Sequence, residues 1–68
     1  MLVNVERERR GAGLSVEQLA DTIGVHPNTV RGWERGDYEP TSKNLVQLST
    51  LFGCSADYLL GLTENRND

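Results

Sequence analysis

Two side chains near the middle of the chain, Asn28 and Arg31, have hydrogen-bonding groups that match the edges of nucleic-acid bases. The carboxamide of Asn28 offers a donor and an acceptor that fit N6 and N7 of adenine, and the guanidinium of Arg31 fits O6 and N7 of guanine. Each good bidentate pair provides about 1–3 kcal/mol of discrimination against a wrong base. Arg31 could instead bind a phosphate. Base reading requires a rigid element that holds both side chains on one exposed face.

The segment SVEQLADTIGVHPNTVRGWERG, residues 15–36, predicts two short helices that supply such an element. Ser15 with Gln18 three residues later is the pattern of a capping box, so the first helix should begin at Val16. Its apolar residues recur at offsets of three, four and seven, which is typical of an amphipathic helix with one buried face. Gly24 should end this helix because glycine readily adopts a left-handed backbone.

The second helix should run from Pro27 to about Arg35 and end at Gly36, since proline is favoured at the first helical position. Two helices joined by a short turn that contains glycine form a helix-turn-helix motif. Trp33 is expected in the core, on the same side as Val30. The opposite, exposed stripe is predicted to consist of Pro27, Asn28, Arg31, Gly32 and Arg35. A helix-turn-helix reads DNA with an outward face of this kind. The predicted base-reading residues on it are Asn28 and Arg31, with Pro27 and Gly32.

These residues and their surroundings resemble the phage-repressor and Cro type (Xre-like) of helix-turn-helix domains. The resemblance extends over roughly residues 2–62, followed by a polar tail at 63–68. It is carried by Arg9, Gly13-Leu14-Ser15, Leu19-Ala20, Gly24-Val25, Trp33-Glu34-Arg35-Gly36, Pro40, Leu45, Leu48, Leu51, Phe52 and Leu59-Leu60-Gly61. It implies an all-α, compact five-helix lambda-repressor-like fold and a sequence-specific regulator of transcription, a repressor that occupies an operator in double-stranded DNA.

The resemblance also implies which residues hold the DNA backbone. In this family, phosphates are bound by the start of the first motif helix and by the loop after the second motif helix. Here these contacts map onto Ser15, Val16, Thr29, Arg35 and Lys43. His26 is expected either to cap the second helix or to contact a phosphate. Arg9 is expected to pair with Glu34 in a partly buried ion pair that turns Arg9 towards a phosphate.

Three positions depart from the family pattern and weaken the expected readout. Val16 stands where family members often have glutamine, and Pro27 and Gly32 stand where the recognition helix usually projects long polar side chains. Gly32 either allows the backbone to approach the groove or costs about 1 kcal/mol of helix propensity.

The scaffold residues follow from the same helical periodicity. Val5 with Leu2 should face inward from a first helix that ends in Gly11-Ala12-Gly13. Thr41 or Ser42 should cap a fourth helix that ends at Gly53, and Ser55 should cap a short fifth one. The fourth helix is expected to turn four residues inward: Leu45, Leu48, Leu51 and Phe52.

The charge distribution limits how strongly one copy could bind DNA. The 68 residues form one domain with a net charge of −3. Residues 1–36 are neutral, and the acidic excess lies in 37–68. Because cations that neutralise phosphates provide most of the non-specific affinity, a shallow salt dependence and binding as a homodimer to an inverted repeat are expected. The candidates for a two-fold contact are Tyr58, Leu60 and Leu62, with packing under the first helix as the alternative; Thr63–Asp68 should be frayed.

Other classes of function find little support in the sequence. No nucleophile, base and oxyanion group cluster, and no phosphate loop is present, so an enzyme is not expected. The lone His26 lacks the spacing of a metal site, and no cofactor or small-molecule ligand is evident. A single buried cysteine, Cys54, and the lack of an 18-residue apolar run or a signal-like start point to the cytoplasm and away from membranes. The main alternative is a protein-interaction module of the same fold, such as an antitoxin or adaptor subunit.

Overall fold

The computed structural model describes residues 3–67, which form five helices and no strand. The helices are α1 (Val3–Gly11), α2 (Val16–Ile23), α3 (Pro27–Arg35), α4 (Ser42–Phe52) and α5 (Ala56–Leu59). The predicted all-α, five-helix fold is confirmed. None of these helices is long and apolar enough to cross a membrane.

The helix ends are set by local capping interactions. The hydroxyl of Ser15 accepts the N–H of Gln18 at 3.0 Å, and the Gln18 side chain accepts the N–H of Ser15 at 2.8 Å, so the capping box is present. Gly24 ends α2 with a φ of 87°, a conformation that a side chain would strain. Thr41 caps α4 and Ser55 caps α5. Each cap satisfies backbone N–H groups that the helix itself leaves unpaired.

A small apolar core joins the five helices. Its largest fully buried side chains are Trp33, Leu19, Leu48, Leu59, Val5 and Val30. Cys54 fills a slot before α5, where burial raises the pKa of its thiol. The expectation that Leu51 faces inward is wrong, because Leu51 lies at the flank of the α4 stripe and is 41% exposed. Leu2 lies outside the described residues.

The polar C-terminal segment is tied to the rest of the domain through Arg66, so the predicted fraying is wrong at that residue. The guanidinium of Arg66 donates to both carboxylate oxygens of Glu8, at 2.7 and 3.0 Å, and to the carbonyl of Phe52. The backbone carbonyl of Arg66 also accepts the N–H of Ser55. Tyr58 is only 2% exposed, and its hydroxyl donates to Glu8 at 3.1 Å. Tyr58 therefore packs under α1 and is not available for the two-fold contact proposed for it.

Replacing Glu8 with glutamine is expected to destabilise the protein at pH 7 by about 2 kcal/mol, the scale of hydrogen bonds to a charged group. Hydrogen bonds from Arg66, and then from Tyr58, hold the pKa of Glu8 below its ordinary value despite the opposing effect of burial. Because the folded-state pKa is the lower one, this stability is present above the unfolded-state pKa, about 4.3, and is lost as the pH falls through the folded-state value.

Urea unfolding at pH 7 and at pH 3 would measure this difference. The difference between wild type and Glu8→Gln should be largest at pH 7 and smaller at pH 3. Glu39→Gln removes the same charge from an exposed side chain and is the control. An equal effect of the two substitutions at pH 7 would contradict the role of Glu8.

Candidate nucleic-acid interface

The helix α3 turns one face into the core and the opposite face outward. Val30 and Trp33 are 0% and 1% exposed and pack the inner face against the rest of the domain. Asn28, Arg31 and Arg35 are exposed on the outer side. This opposition follows from the helical period, since residues 28, 31 and 35 share one side and residues 30 and 33 the other.

Asn28 and Arg31 are linked to each other and to α2. The guanidinium of Arg31 donates to Oδ1 of Asn28 at 3.1 Å and forms an ion pair with Glu17. The pKa of Glu17 lies below its ordinary value, first because its own backbone N–H donates to the carboxylate and then because Arg31 does. The two predicted base-reading residues therefore lie in contact with each other. The positively charged one, Arg31, is also paired with the carboxylate of Glu17.

The side chain of Tyr38 covers Gly32, a contact that was not predicted from the sequence. A Cβ at Gly32 would lie 2.3 Å from Cζ and 2.5 Å from the hydroxyl oxygen of Tyr38. The Tyr38 hydroxyl also donates to the backbone carbonyl of Asn28 at 3.1 Å. The expectation that Gly32 is exposed is therefore wrong, because the ring of Tyr38 occupies the space that its missing side chain leaves.

The first turn of α3 is organised by His26. Its Nδ1 accepts the N–H of Asn28 at 3.0 Å, so His26 is the helix cap that the sequence allowed. With Nδ1 accepting, the ring N–H lies on Nε2, which is free to donate to an acceptor such as a phosphate. Pro27 occupies the first helical position, and both Pro27 and Thr29 are partly buried. These two residues therefore present less surface than Asn28 does.

Ser15 and Val16 were expected to bind a phosphate at the start of α2. Some of the backbone N–H groups there already have hydrogen-bond partners within the protein. The capping box uses the N–H of Ser15 and the N–H of Gln18. The carboxylate of Glu17 accepts its own backbone N–H. An incoming phosphate would meet this negative charge at the helix start.

Arg9 and Glu34 form the ion pair that the resemblance implied. The Nε of Arg9 lies 2.8 Å from Oε2 of Glu34, and the side chains of both residues are 10% exposed. A second guanidinium nitrogen donates to Oε1 of Glu34, and the third donates to the carbonyl of Leu14. These three hydrogen bonds use three of the five N–H groups of the guanidinium, so the phosphate contact expected of Arg9 stays a prediction. The pair ties α1 to α3.

Two other predicted phosphate ligands, Arg35 and Lys43, lie at the end of α3 and at the start of α4. Arg35 is exposed and forms an ion pair with Asp37 at 2.8 Å. Lys43 lies exposed in the first turn of α4. Two exposed cations are thus present at and beyond the end of α3, and Asp37 partly neutralises one of them, Arg35.

A comparison with known proteins assigns the family. The sequence model of the helix-turn-helix family matches residues 5–59. The chain belongs to the helix-turn-helix family. The solved structure of the P22 c2 repressor protein in complex with synthetic operator 9T superposes on this helix-turn-helix domain with a TM-score of 0.79 and 32% identity, over 84% of this chain and 86% of that one.

Curated relatives of this helix-turn-helix domain are transcriptional regulators. The uncharacterized HTH-type transcriptional regulator YobD of Bacillus subtilis is 39% identical over 57 residues, which are 84% of this chain and 51% of YobD. Repressor protein C2 of Salmonella phage P22 is 34% identical over 56 residues, which are 82% of this chain and 26% of that protein. The chain therefore spans about half the length of YobD and about a quarter of the length of repressor protein C2.

Two residues at this surface, Glu17 and Tyr38, were not among the residues predicted from the sequence. Glu17 is fourteen positions from its partner Arg31, and no sequence spacing links the two. Tyr38 had a weak signal, namely a glycine inside a helix followed by an aromatic residue just beyond the helix end. Within residues 3–67, no cluster of three or more metal-binding side chains exists.

Proposed function

We propose that this chain binds double-stranded DNA sequence-specifically and represses transcription by occupying an operator. The observation that carries the proposal is the outward placement of Asn28 and Arg31 on α3, opposite the buried Trp33 and Val30. In a helix-turn-helix, the second helix enters the major groove and its N-terminal residues contact base edges. The P22 c2 repressor, which this domain resembles in structure, was solved with a synthetic operator.

Asn28 reads adenine and Arg31 reads guanine in this proposal, because their groups match the major-groove edges of those bases. Arg31 must first leave Glu17, and Asn28 must give up its contact with Arg31. Pro27 adds apolar contact at the start of the helix. The remaining contacts fix the position of the helix on the phosphate backbone. They come from Arg9, Ser15, Val16, His26, Thr29, Arg35 and Lys43.

Replacing Glu17 with glutamine is expected to raise the affinity for DNA about fivefold at low salt. The substitution frees Arg31 and removes a negative charge from the start of α2, where a phosphate would approach. Asp21→Asn removes the same charge one turn later on α2 and is the matched control. Fluorescence anisotropy with a labelled duplex measures both variants. A gain no greater than that of Asp21→Asn would show that the contact with Arg31 does not restrain binding.

We further propose that two copies bind an inverted repeat. The exposed cations near α3 are few, and Arg35 is paired with an acid. Leu62 is 73% exposed and Leu60 is partly buried beside it, so these two remain candidates for the contact between copies. Binding of two copies would double the number of phosphate and base contacts, while each domain would keep the same contacts with its own half-site.

Selection from a random duplex library at low salt tests the proposed function. Titration of the enriched site at two salt concentrations then reports the number of phosphates neutralised. An inverted repeat with half-sites about one helical turn apart is the expected product. If folded protein enriches no site, the proposed function is wrong, and a protein partner for the same fold becomes the better hypothesis.

A further inference from the structure

The outer face of α3 contains a side chain that the helix itself does not supply. Tyr38 follows the end of α3 by three residues, and its ring lies over Gly32, on the same stripe as Asn28. At Gly32 a side chain would point away from Trp33 and Val30, and instead the Tyr38 ring fills that space. The ring therefore stands where a long side chain of a recognition helix would stand.

Two contacts orient the ring in this place. The hydroxyl donates to the backbone carbonyl of Asn28 at 3.1 Å. The ring atoms Cζ and Cε1 lie 2.3 and 2.7 Å from the Cβ position at Gly32, so any larger residue there would displace the ring. Gly32 and Tyr38 thus act as a matched pair, in which the absent side chain of one leaves room for the ring of the other.

The ring remains accessible in spite of these contacts, since Tyr38 is 49% exposed. Its hydroxyl is engaged with the helix backbone, so the surface that it can present outward is hydrocarbon. In the major groove, the apolar group that such a surface can contact is the 5-methyl group of thymine.

We propose that Tyr38 is a specificity-determining residue whose ring contacts the 5-methyl group of a thymine in the bound duplex. This inference rests on the proposed function. It predicts that the domain reads one base pair with a side chain from the loop after α3, next to the base read by Asn28. A ring that only covered the backbone of Gly32 would stabilise the fold without sensing the methyl group.

Replacement of single thymines by deoxyuridine in the selected operator separates these two roles. Deoxyuridine lacks only the methyl group, and burial of one such group corresponds to about a fourfold change in affinity. Wild type should lose about this factor at one thymine per half-site. Tyr38→Ala should bind the thymine and deoxyuridine duplexes equally at that position, whereas Tyr38→Phe should keep the preference because it keeps the ring.

Two further variants sharpen the test. Gly32→Ala should abolish the thymine preference as Tyr38→Ala does, because its methyl group displaces the ring. Val46→Ala truncates an exposed apolar side chain on α4 and should leave the preference intact. Thermal unfolding of each variant confirms that it is folded at the temperature of the assay.

The possible results fall into separate classes. Loss of the preference in Tyr38→Ala and its retention in Tyr38→Phe and Val46→Ala support the proposal. A selected operator with no methyl-sensitive thymine, or one whose sensitivity survives Tyr38→Ala, overturns the role of Tyr38 and leaves the proposed function intact. Failure to select any operator overturns the proposed function, and the role of Tyr38 with it.

Discussion

Replacing Glu34 with alanine is expected to lower the free energy of unfolding by about 3 kcal/mol, because it leaves the buried guanidinium of Arg9 without its acidic partner. Arg9 is 8% exposed, and water cannot readily replace the two hydrogen bonds that Glu34 accepts. Those hydrogen bonds also raise the pKa of Arg9 above its ordinary value. Without them Arg9 still stays charged, because the ordinary pKa of a guanidinium lies far above neutral pH. For a domain of this size, such a loss should lower the melting temperature by more than about 10 °C.

The control for this prediction is a second glutamate that also pairs with an arginine. Glu6 accepts from Arg10 at 3.0 Å, but the two side chains are 38% and 71% exposed. Glu6→Ala should therefore cost less than about 1 kcal/mol, as exposed pairs generally do. Thermal and urea unfolding of both variants gives the comparison. Small and equal losses would mean that the pair of Arg9 and Glu34 does not hold α1 to α3.

A double substitution separates the unpaired charge from the lost packing. Replacing Arg9 with methionine and Glu34 with leucine removes both charges and keeps apolar volume between α1 and α3. Such replacements of a buried ion pair are often close to neutral in stability. The double variant should therefore be more stable than Glu34→Ala alone.

Replacing Asn28 with alanine is expected to remove about 1–3 kcal/mol of discrimination at one base pair and to leave the other positions nearly unchanged. The substitution removes the proposed adenine contact and also the acceptor that Asn28 offers to Arg31. Since Asn28 is exposed, the fold should be little affected. Binding to every single-base variant of the selected operator measures the change.

Arg35→Ala is the matched comparison for Asn28→Ala. Both residues lie on the outer side of α3, but Arg35 is proposed to contact a phosphate. Its loss should weaken binding to all sequences alike and reduce the salt dependence of the affinity by about one phosphate. If the two substitutions give the same pattern, Asn28 does not read a base.

The local features of the fold could be predicted from the sequence because neighbouring residues determine them. The capping box of Ser15 and Gln18, the turn at Gly24 and the proline at the start of α3 each depend on contacts within a few residues. The burial of Trp33 followed from its place opposite Asn28 on a helix. Residue types and their spacing were therefore enough to predict the helix-turn-helix motif, while the all-α five-helix fold was implied by the resemblance to the Xre-like family.

The features that the sequence did not predict depend on contacts between distant segments. Tyr38 covers Gly32 only because the chain turns back after α3, and Glu17 meets Arg31 only because α2 and α3 cross. Likewise, Arg66 reaches Glu8 across fifty-eight positions, and this contact turns a polar tail into part of the fold. Periodicity and capping signals contain no information about such pairs.

The outer face of α3 is the surface that we propose meets DNA. We would titrate the ¹⁵N-labelled protein with a short duplex containing the selected half-site and follow the backbone amide signals by NMR. The largest shifts should fall within residues 26–38 and at the start of α2, while the last turns of α4 and all of α5 should change little. Shifts centred on α4 and α5, or an unchanged α3, would contradict this proposal.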